Sequence, residues 1–481
     1  MLKIDDPITA AFDRLSAHKT LARRLQHLGV SPGDVVLHKA PQSEAAAPLF
    51  QGCMRLGAVF APIDWQWPDY LVAKAAGHLK PVVVVAAAAD LASLNALFPA
   101  AGALALEDIA NQLSDTSAVS PGDYAPHQPA AYLFTSGSTG VPKAVVLSRA
   151  ALAHGAKVTL ESFGWQPGER LLNLPELHTM SGLRNALVAA PLGELEWLAS
   201  PAAERSNIFA LTDLIRTSGC DHLVSGPALI KQLLLGADRV EAGSLARLQA
   251  IYCTGAALNP AAVAAFHARF GIPIINYYGL TETGGICLSQ SRNGWTPQDQ
   301  SLGRPVGCTA RLMPVTGGDH ENGGEEGELQ IHSPQLMSGY LNDPARTKAR
   351  FQGKWLRTGD VMRRDPAGKY HLLGRAELFI KTAATDRIHP EEIEAVLETH
   401  PDVLEAAVCG RADADGTERL VALVVLIALA LVPIGLDAQL ARFITQRLGS
   451  GRRPQEILFV KSLPRLPSGK LARAALKDLL Q

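Results

Sequence analysis

The chain reads as an α/β protein: a large N-terminal domain of α/β layers, a β subdomain, and a small α+β C-terminal domain. Three observations predict this. Short apolar runs alternate with amphipathic stretches of helical spacing through the first three hundred residues. Beyond about residue 310 turn signals crowd between short alternating strands. After Gly374-Arg375 a compact tail mixes helices and strands again.

The elements follow in order. Leu15 to Leu28 has helical apolar spacing and stops at Gly29. Ser31-Pro-Gly-Asp34 is a turn and Val35-Val-Leu37 a short strand. Ser43 to Leu56 reads as a helix and Gly57 to Pro62 as a strand. Alternation continues through Val82–Val85, Leu133, Asn173, Leu223 and Ile251, which predicts largely parallel sheets. Gly317-Gly318, Asn322-Gly-Gly324 and Asp365-Pro-Ala-Gly368 then punctuate strands such as Gly327-Glu-Leu-Gln-Ile-His332. The tail carries helices near Pro390–Thr399 and Ala438–Leu448.

At 481 residues the chain is too long for one ordinary core. Hydrophobic residues make up 47% and charged residues 19%, which excludes disorder. A formal net charge of −1 without a long basic run gives no electrostatic ground for nucleic acid. The six cysteines are scattered without a C-x-x-C pair and read as small apolar residues in a reducing compartment. The opening Met1-Leu-Lys-Ile-Asp-Asp lacks a signal peptide's apolar core, so a cytoplasmic location is expected. Leu420 to Leu436 is uncharged but contains Pro433 and Gly435. It reaches only the lower edge of the roughly 17–25 residues a spanning helix needs, and reads as a buried strand and turn rather than a membrane span.

Four stretches carry chemistry. An apolar strand, Ala130 to Phe134, runs into Thr135-Ser-Gly-Ser-Thr-Gly140, closed by Pro142 and Lys143. Glycines let several backbone N–H groups converge on one anion. The hydroxyls of Thr135, Ser136, Ser138 and Thr139 add donors, and Lys143 a point charge. Gly137 and Gly140 supply the bends. The spacing is not that of the common P-loop. Asn276-Tyr-Tyr-Gly-Leu-Thr-Glu-Thr-Gly284 follows a second apolar strand, Trp355-Leu-Arg-Thr-Gly-Asp360 contains a third candidate, and Leu463-Pro-Arg-Leu-Pro-Ser-Gly-Lys470 lies near the end.

In this order the stretches resemble the signature motifs of the adenylate-forming superfamily: acyl-CoA synthetases, adenylation domains of peptide synthetases, and luciferases. Aryl- and acyl-CoA synthetases are the nearest group. The resemblance runs from about Leu21 to Leu476 and implies ATP and Mg²⁺ as cofactors. It places Asn276, Tyr277, Tyr278 and Gly279 at the nucleotide, with Tyr278 against adenine. It puts Thr281 on the α-phosphate and Glu282 on Mg²⁺, Asp360 on the ribose hydroxyls and Arg375 on ribose or phosphate. Gly255, Ala256 and Ala257 border adenine and the acyl pocket. Lys470 is the transition-state cation. A phenol stacks, a hydroxyl donates to phosphate, and a hard carboxylate suits a hard cation.

Pro175-Glu-Leu-His-Thr-Met-Ser-Gly-Leu183 resembles the segment lining the acyl pocket, with His178 where that group has a histidine. The aspartate with which amino-acid-activating domains hold an α-amino group is missing there. A carrier domain is not seen in these 481 residues, so a peptide-synthetase module is not expected. The resemblance therefore implies activation of an aromatic or medium apolar carboxylic acid, with coenzyme A or carrier-protein phosphopantetheine as acceptor and an acyl carrier protein as an alternative partner. The implied architecture is an N-terminal domain over 1–373, a hinge over 374–378 and a mobile C-terminal domain over 379–481. Two features depart from the family. The N-terminal segment before the first helix is short. In the loop after Gly374-Arg375, Glu377 or Leu378 stands at the hinge and Ala383-Ala384 replace a glycine pair. Alanine disfavours the φ > 0 that glycine permits, so slow or selective transfer to coenzyme A is expected, with a non-thiol acceptor as an alternative. A nucleotide-binding relative without turnover is disfavoured by Thr281, Glu282, Asp360, Arg375 and Lys470.

Overall fold

The computed structural model describes residues 17–111, 124–135, 142–200, 207–236, 239–255, 258–314, 325–376, 378, 380–381, 387–412, 418–427, 432–465 and 471–480. The loop residues Ser136–Gly140, Ala256-Ala257, Glu377, Ala383-Ala384 and Lys470 lie outside these.

The first layer is a seven-stranded sheet. Its strands are β1 (Val35–Lys39), β2 (Val59–Pro62), β3 (Val83–Ala86), β4 (Gly102–Ala105), β5 (Pro129–Thr135) and β6 (Lys143–Ser148), with a late edge strand added from Gly339–Tyr340. β1 lies parallel to both β2 and β3. β5 and β6 run antiparallel, with Thr135 opposite Lys143. The short connection between them closes a hairpin and is too short for the crossover that a parallel pair needs. The two ends of the anion-loop motif are thereby pinned side by side.

A second seven-stranded sheet holds β7 (Arg170–Asn173), β8 (Glu196–Leu198), β9 (His222–Ser225), β10 (Ala250–Cys253), β11 (Ile274–Tyr278), β12 (Leu288–Ser289) and β13 (Arg304–Pro305), in the order β13-β12-β11-β10-β9-β7-β8. It is parallel from β8 to β11 and antiparallel beyond. The expected parallel layers are thus present, with antiparallel edges. Between the sheets the helix Arg149–Phe163 starts at an N-cap where the Ser148 hydroxyl accepts from Ala151 N at 3.1 Å. Its first residue, Arg149, turns inward and donates to the Met54 carbonyl at 2.7 Å. One core spans both sheets and includes Phe50, Phe60, Phe163, Tyr252 and Tyr277.

The β subdomain follows as expected. β14 (Thr309–Met313) and β15 (Glu325–His332) form an antiparallel sheet with β17 (Phe351–Gln352), β18 (Trp355–Arg364) and β19 (Tyr370–Arg375); the edge strand Gly339–Tyr340 is β16. The expected tail helices occupy Pro390–Leu397 and Leu436–Leu448, beside β22 (Val403–Ala412), β23 (Glu418–Leu426) and β24 (Glu456–Phe459), after the short β20 (Ile380–Lys381) and β21 (Arg387–Ile388).

The uncharged run beginning at Leu420 is accounted for by β23. It is the middle strand of three, with Leu420, Ala422 and Val424 on one core and Leu423 and Val425 on another. A strand covered on both faces needs no polar alternation. Among the described residues no helix is long and apolar enough to cross a membrane. All six cysteines are free.

Candidate active site

The site grows from the end of β11. Tyr277 and Tyr278 are both buried and, being adjacent on a strand, point to opposite faces. After them the chain turns through Gly279 into a short 3₁₀ turn, Thr281–Thr283. Gly279 is required there, because a Cβ would stand 2.3 Å from the Gly285 carbonyl oxygen. The Thr283 hydroxyl locks the turn by accepting from Leu280 N at 2.8 Å. This leaves Thr281 half-buried and Glu282 buried.

On the Tyr278 face lies Asp360. The Tyr278 hydroxyl donates to Asp360 Oδ2, and Arg375 Nε meets Asp360 Oδ1 at 3.0 Å. Asp360 and Arg375 are direct cross-strand partners on β18 and β19. Arg375 Nη1 also donates to the Thr358 carbonyl at 3.1 Å. Burial and the Asp360 charge hold the Tyr278 phenol well above its ordinary range, so it stays a donor. The arrangement offers an aromatic face and a carboxylate on one wall, suited to a base and a diol.

Around Glu282 lies a second group. Tyr340 donates to Glu282 Oε1 at 2.8 Å. Lys143 Nζ stands 5.6 Å from the Tyr340 ring centroid. Burial, with Arg346 and Arg350 nearby, lowers the Lys143 pKa against the pull of Glu282. For Arg350 burial acts downward, but the Tyr340 and Glu282 oxygens outweigh it and its pKa rises. Lys143 and Arg350 thus face Glu282, with Arg346 near Lys143 but paired to Asp343 at 3.0 Å, an arrangement fit for polyphosphate. Mg²⁺ takes oxygen ligands and is commonly held by one or two carboxylates plus substrate phosphates. Glu282 fits as such a carboxylate. Among the described residues no cluster of three or more His, Cys, Asp or Glu exists to cage a metal alone.

His178 sits elsewhere, on the loop after β7. Its Nε2 is 3.9 Å from Asp64 Oδ2, and burial lowers its pKa against the pull of Asp64 and Glu176. Behind it His38 on β1 is buried, with neither ring nitrogen bonded to a described group. Burial, with His178 facing it, pushes the His38 pKa down to about 4. Gln42 holds the loop by donating to the Pro175 carbonyl at 2.6 Å.

The structure therefore joins Tyr278 with Asp360 and Arg375, and brings Lys143 to the Glu282 group. Gly255 closes β10 in a left-handed conformation, φ 98°. Asn276, on β11, donates its backbone N–H to Gln290 Oε1 at 2.9 Å. Sequence reasoning missed Tyr340, Arg350, Asp64, His38 and Arg184. Tyr340 had a signal: it follows a Ser-Gly and precedes Leu-Asn-Asp-Pro, a strand end before a capped helix. His38 had none within its apolar run.

The family described as AMP-binding enzyme matches residues 14–341, and the AMP-binding enzyme C-terminal domain matches residues 392–470. The sulfoacetate–CoA ligase of Cupriavidus necator is 33% identical over 485 residues, covering 95% of this chain and 90% of the relative. The anthranilate–CoA ligase of Pseudomonas aeruginosa is 30% identical over 489 residues, covering 97% and 90%. Among solved structures, a benzoate CoA ligase from Burkholderia xenovorans LB400 superposes with a TM-score of 0.83 at 25% identity, over 96% of this chain and 93% of that one. The motifs, the two seven-stranded sheets and these matches agree, and the chain belongs to the AMP-binding enzyme family.

Proposed function

We propose that the protein activates a carboxylic acid with ATP, releasing pyrophosphate, and passes the acyl group to a thiol. Coenzyme A is the first candidate acceptor, and the phosphopantetheine of an acyl carrier protein the alternative. The observation that carries this reading is the pairing of two different sites on one short turn. Tyr278 is bonded to Asp360 on one side, and four residues later Glu282 is bonded to Tyr340 beside Lys143 and Arg350. A nucleoside on the first and its phosphates on the second puts the α-phosphate at Thr281. Family membership and the three coenzyme A ligases among the similar proteins support the same reading.

The chemistry then follows. An acid carboxylate oxygen attacks the α-phosphorus and pyrophosphate leaves. The thiol sulfur next attacks the acyl carbonyl, and AMP leaves with the carboxylate oxygen. Thr281 orients the α-phosphate, while Lys143 and Arg350 take the charge of the departing phosphates. Ser136, Gly137, Ser138, Thr139 and Gly140 supply further donors, and Gly255, Ala256 and Ala257 a flat floor for the base. Lys470 offsets the repulsion between carboxylate and phosphate. Bound at Glu282, Mg²⁺ would neutralise phosphate charge. His178, largely neutral at pH 7 because burial lowers its pKa, lines the acyl side. The division into 1–373, a 374–378 hinge and 379–481 is supported by the end of β19 at Arg375 and the separate core built on Ile388, Ile393 and Val408.

On sequence grounds the acid is aromatic or of medium size and apolar. The similar proteins extend the range from benzoate and anthranilate to sulfoacetate. Pyrophosphate release should depend on an added acid, and a coenzyme A thioester should form only when coenzyme A is present. Pyrophosphate release that ignores every acid in a broad panel would refute the reading.

A further inference from the structure

Arg184 has no exposed surface at all. Its described acceptors are neutral. Nε and Nη2 donate to Asn185 Oδ1 at 3.1 and 3.0 Å, and Nη1 to the Gly284 carbonyl at 3.3 Å. Its Cζ lies 5.8 Å from the Tyr277 ring centroid, and the Tyr277 hydroxyl is a further, neutral partner. Among the described residues no carboxylate pairs with it. Asn185 is itself fully buried and tied to Asn173 at 3.2 Å. Burial lowers the Arg184 pKa, the ordinary cost of a desolvated cation. An uncompensated buried charge costs several kcal/mol, and buried charges are as a rule paired, so an arriving anion would recover that cost.

The surroundings are built for this side chain. Arg184 is the second residue of a π-helical stretch, Leu183–Ala189, a rare geometry that often marks functional sites. Gly285 has φ 94°, and a Cβ there would stand 2.3 Å from Arg184 Nη1. The guanidinium occupies the space a side chain at 285 would take. It lies between the Pro175–Leu183 segment and the turn that carries Thr281. The half-buried Ser181, bonded through its hydroxyl to Tyr277 at 3.0 Å, borders the same place.

We propose that Arg184 receives a second anionic group on the acid, so that the substrate is a short dianion: a carboxylic acid bearing a further carboxylate or sulfonate. This rests on the acid-activation reading above and replaces the aromatic or apolar acid expected from the sequence. The anion displaces the Gly284 carbonyl, the longest of the three contacts, and binds through a charge-assisted fork. A 3₁₀ turn rises about 2 Å per residue, so Thr281 and Gly284 lie on the order of 6 Å apart along it. A dianion whose charges are separated by a few bonds spans that distance, with its reacting carboxylate toward Thr281. Arg184 is then the specificity determinant for the acid.

The test compares acid-dependent pyrophosphate release for malonate, succinate and sulfoacetate with that for propionate, butyrate and benzoate, in the full chain with ATP and Mg²⁺. In the wild type the best dianion should exceed its monoanionic counterpart in kcat/KM by about 100-fold, the worth of a desolvated charged contact. Arg184→Met should collapse that ratio to within about threefold of one, and Arg184→Lys should keep part of it. A preference for sulfoacetate over the dicarboxylates would identify the anion as sulfonate, and the reverse as carboxylate; both support the proposal. A wild-type preference for butyrate or benzoate overturns it and leaves acid activation standing. So does an Arg184→Met variant that loses dianion and monoanion activity in equal proportion, which marks a purely structural arginine. If Arg184→Met does not fold, the wild-type and Arg184→Lys ratios decide. Release with no acid at all in the panel would overturn acid activation and this inference together.

Discussion

The two sides of the turn at Thr281–Gly285 solve opposite electrostatic problems. On the nucleotide side every acid has a partner: Asp360 holds Tyr278 and Arg375, and Glu282 holds Tyr340. On the acyl side two buried groups, Arg184 and His38, have no carboxylate partner among the described residues. Among the described residues Arg184 meets amide and carbonyl oxygens and the Tyr277 side chain, and neither ring nitrogen of His38 is bonded. Paired groups make a preorganised socket for a ligand common to many reactions. Unpaired buried groups are expensive unless a particular ligand completes them. The common and the particular parts of the reaction are thus separated by a few residues.

That separation can be broken in graded ways. The largest effect is expected at Lys470. Lys470→Ala should slow adenylation by roughly a thousandfold while leaving ATP binding nearly intact, because its charge acts mainly in the transition state. Adenylation within about threefold of wild type would remove the residue from that role. The effect should be the same for every acid, as befits the nucleotide side.

His38 is expected to matter next, through pH. Its folded pKa is depressed to about 4 from 6.5, so the unfolded chain binds the proton first as pH falls. Stability contributed by the neutral ring is full above pH 6.5 and is lost between 6.5 and about 4, a span worth roughly 3 kcal/mol. His38→Phe should flatten that part of the profile, as read by urea denaturation at pH 7, 5.5 and 4.5. Parallel profiles for variant and wild type would show that His38 is not buried neutral.

Smaller effects are expected at the metal side. Glu282→Gln should raise the Mg²⁺ concentration for half activity about tenfold, since an amide is a poorer ligand for a hard cation. Tyr340→Phe, which removes one hydrogen bond to that carboxylate, should raise it only about threefold. An unchanged Mg²⁺ titration in Glu282→Gln would place the metal elsewhere.

The layers were legible because strands and helices alternate with clear periodicity, and β23 because its apolar run is interrupted by Pro433 and Gly435. The nucleotide groups were legible because each lies in a short contiguous motif. Their couplings were not. Tyr340 reaches Glu282 across 58 positions and Tyr278 reaches Asp360 across 82, and no local pattern encodes such a meeting. Arg184 was illegible for another reason. One arginine in an apolar helical stretch reads as solvated, and only the π-helical geometry and the space left by Gly285 turn it inward. His38 sits in the run Val35-Val-Leu-His38, where periodicity marks burial but not what a buried imidazole faces.

In acid activation the acid's own oxygen joins the nucleotide. Acid labelled with ¹⁸O in its carboxylate, incubated with the protein, ATP, Mg²⁺ and coenzyme A, should deliver one labelled oxygen to AMP, read by mass spectrometry, alongside unlabelled pyrophosphate. Formation of ADP with the label in inorganic phosphate, or AMP free of label, would contradict the account.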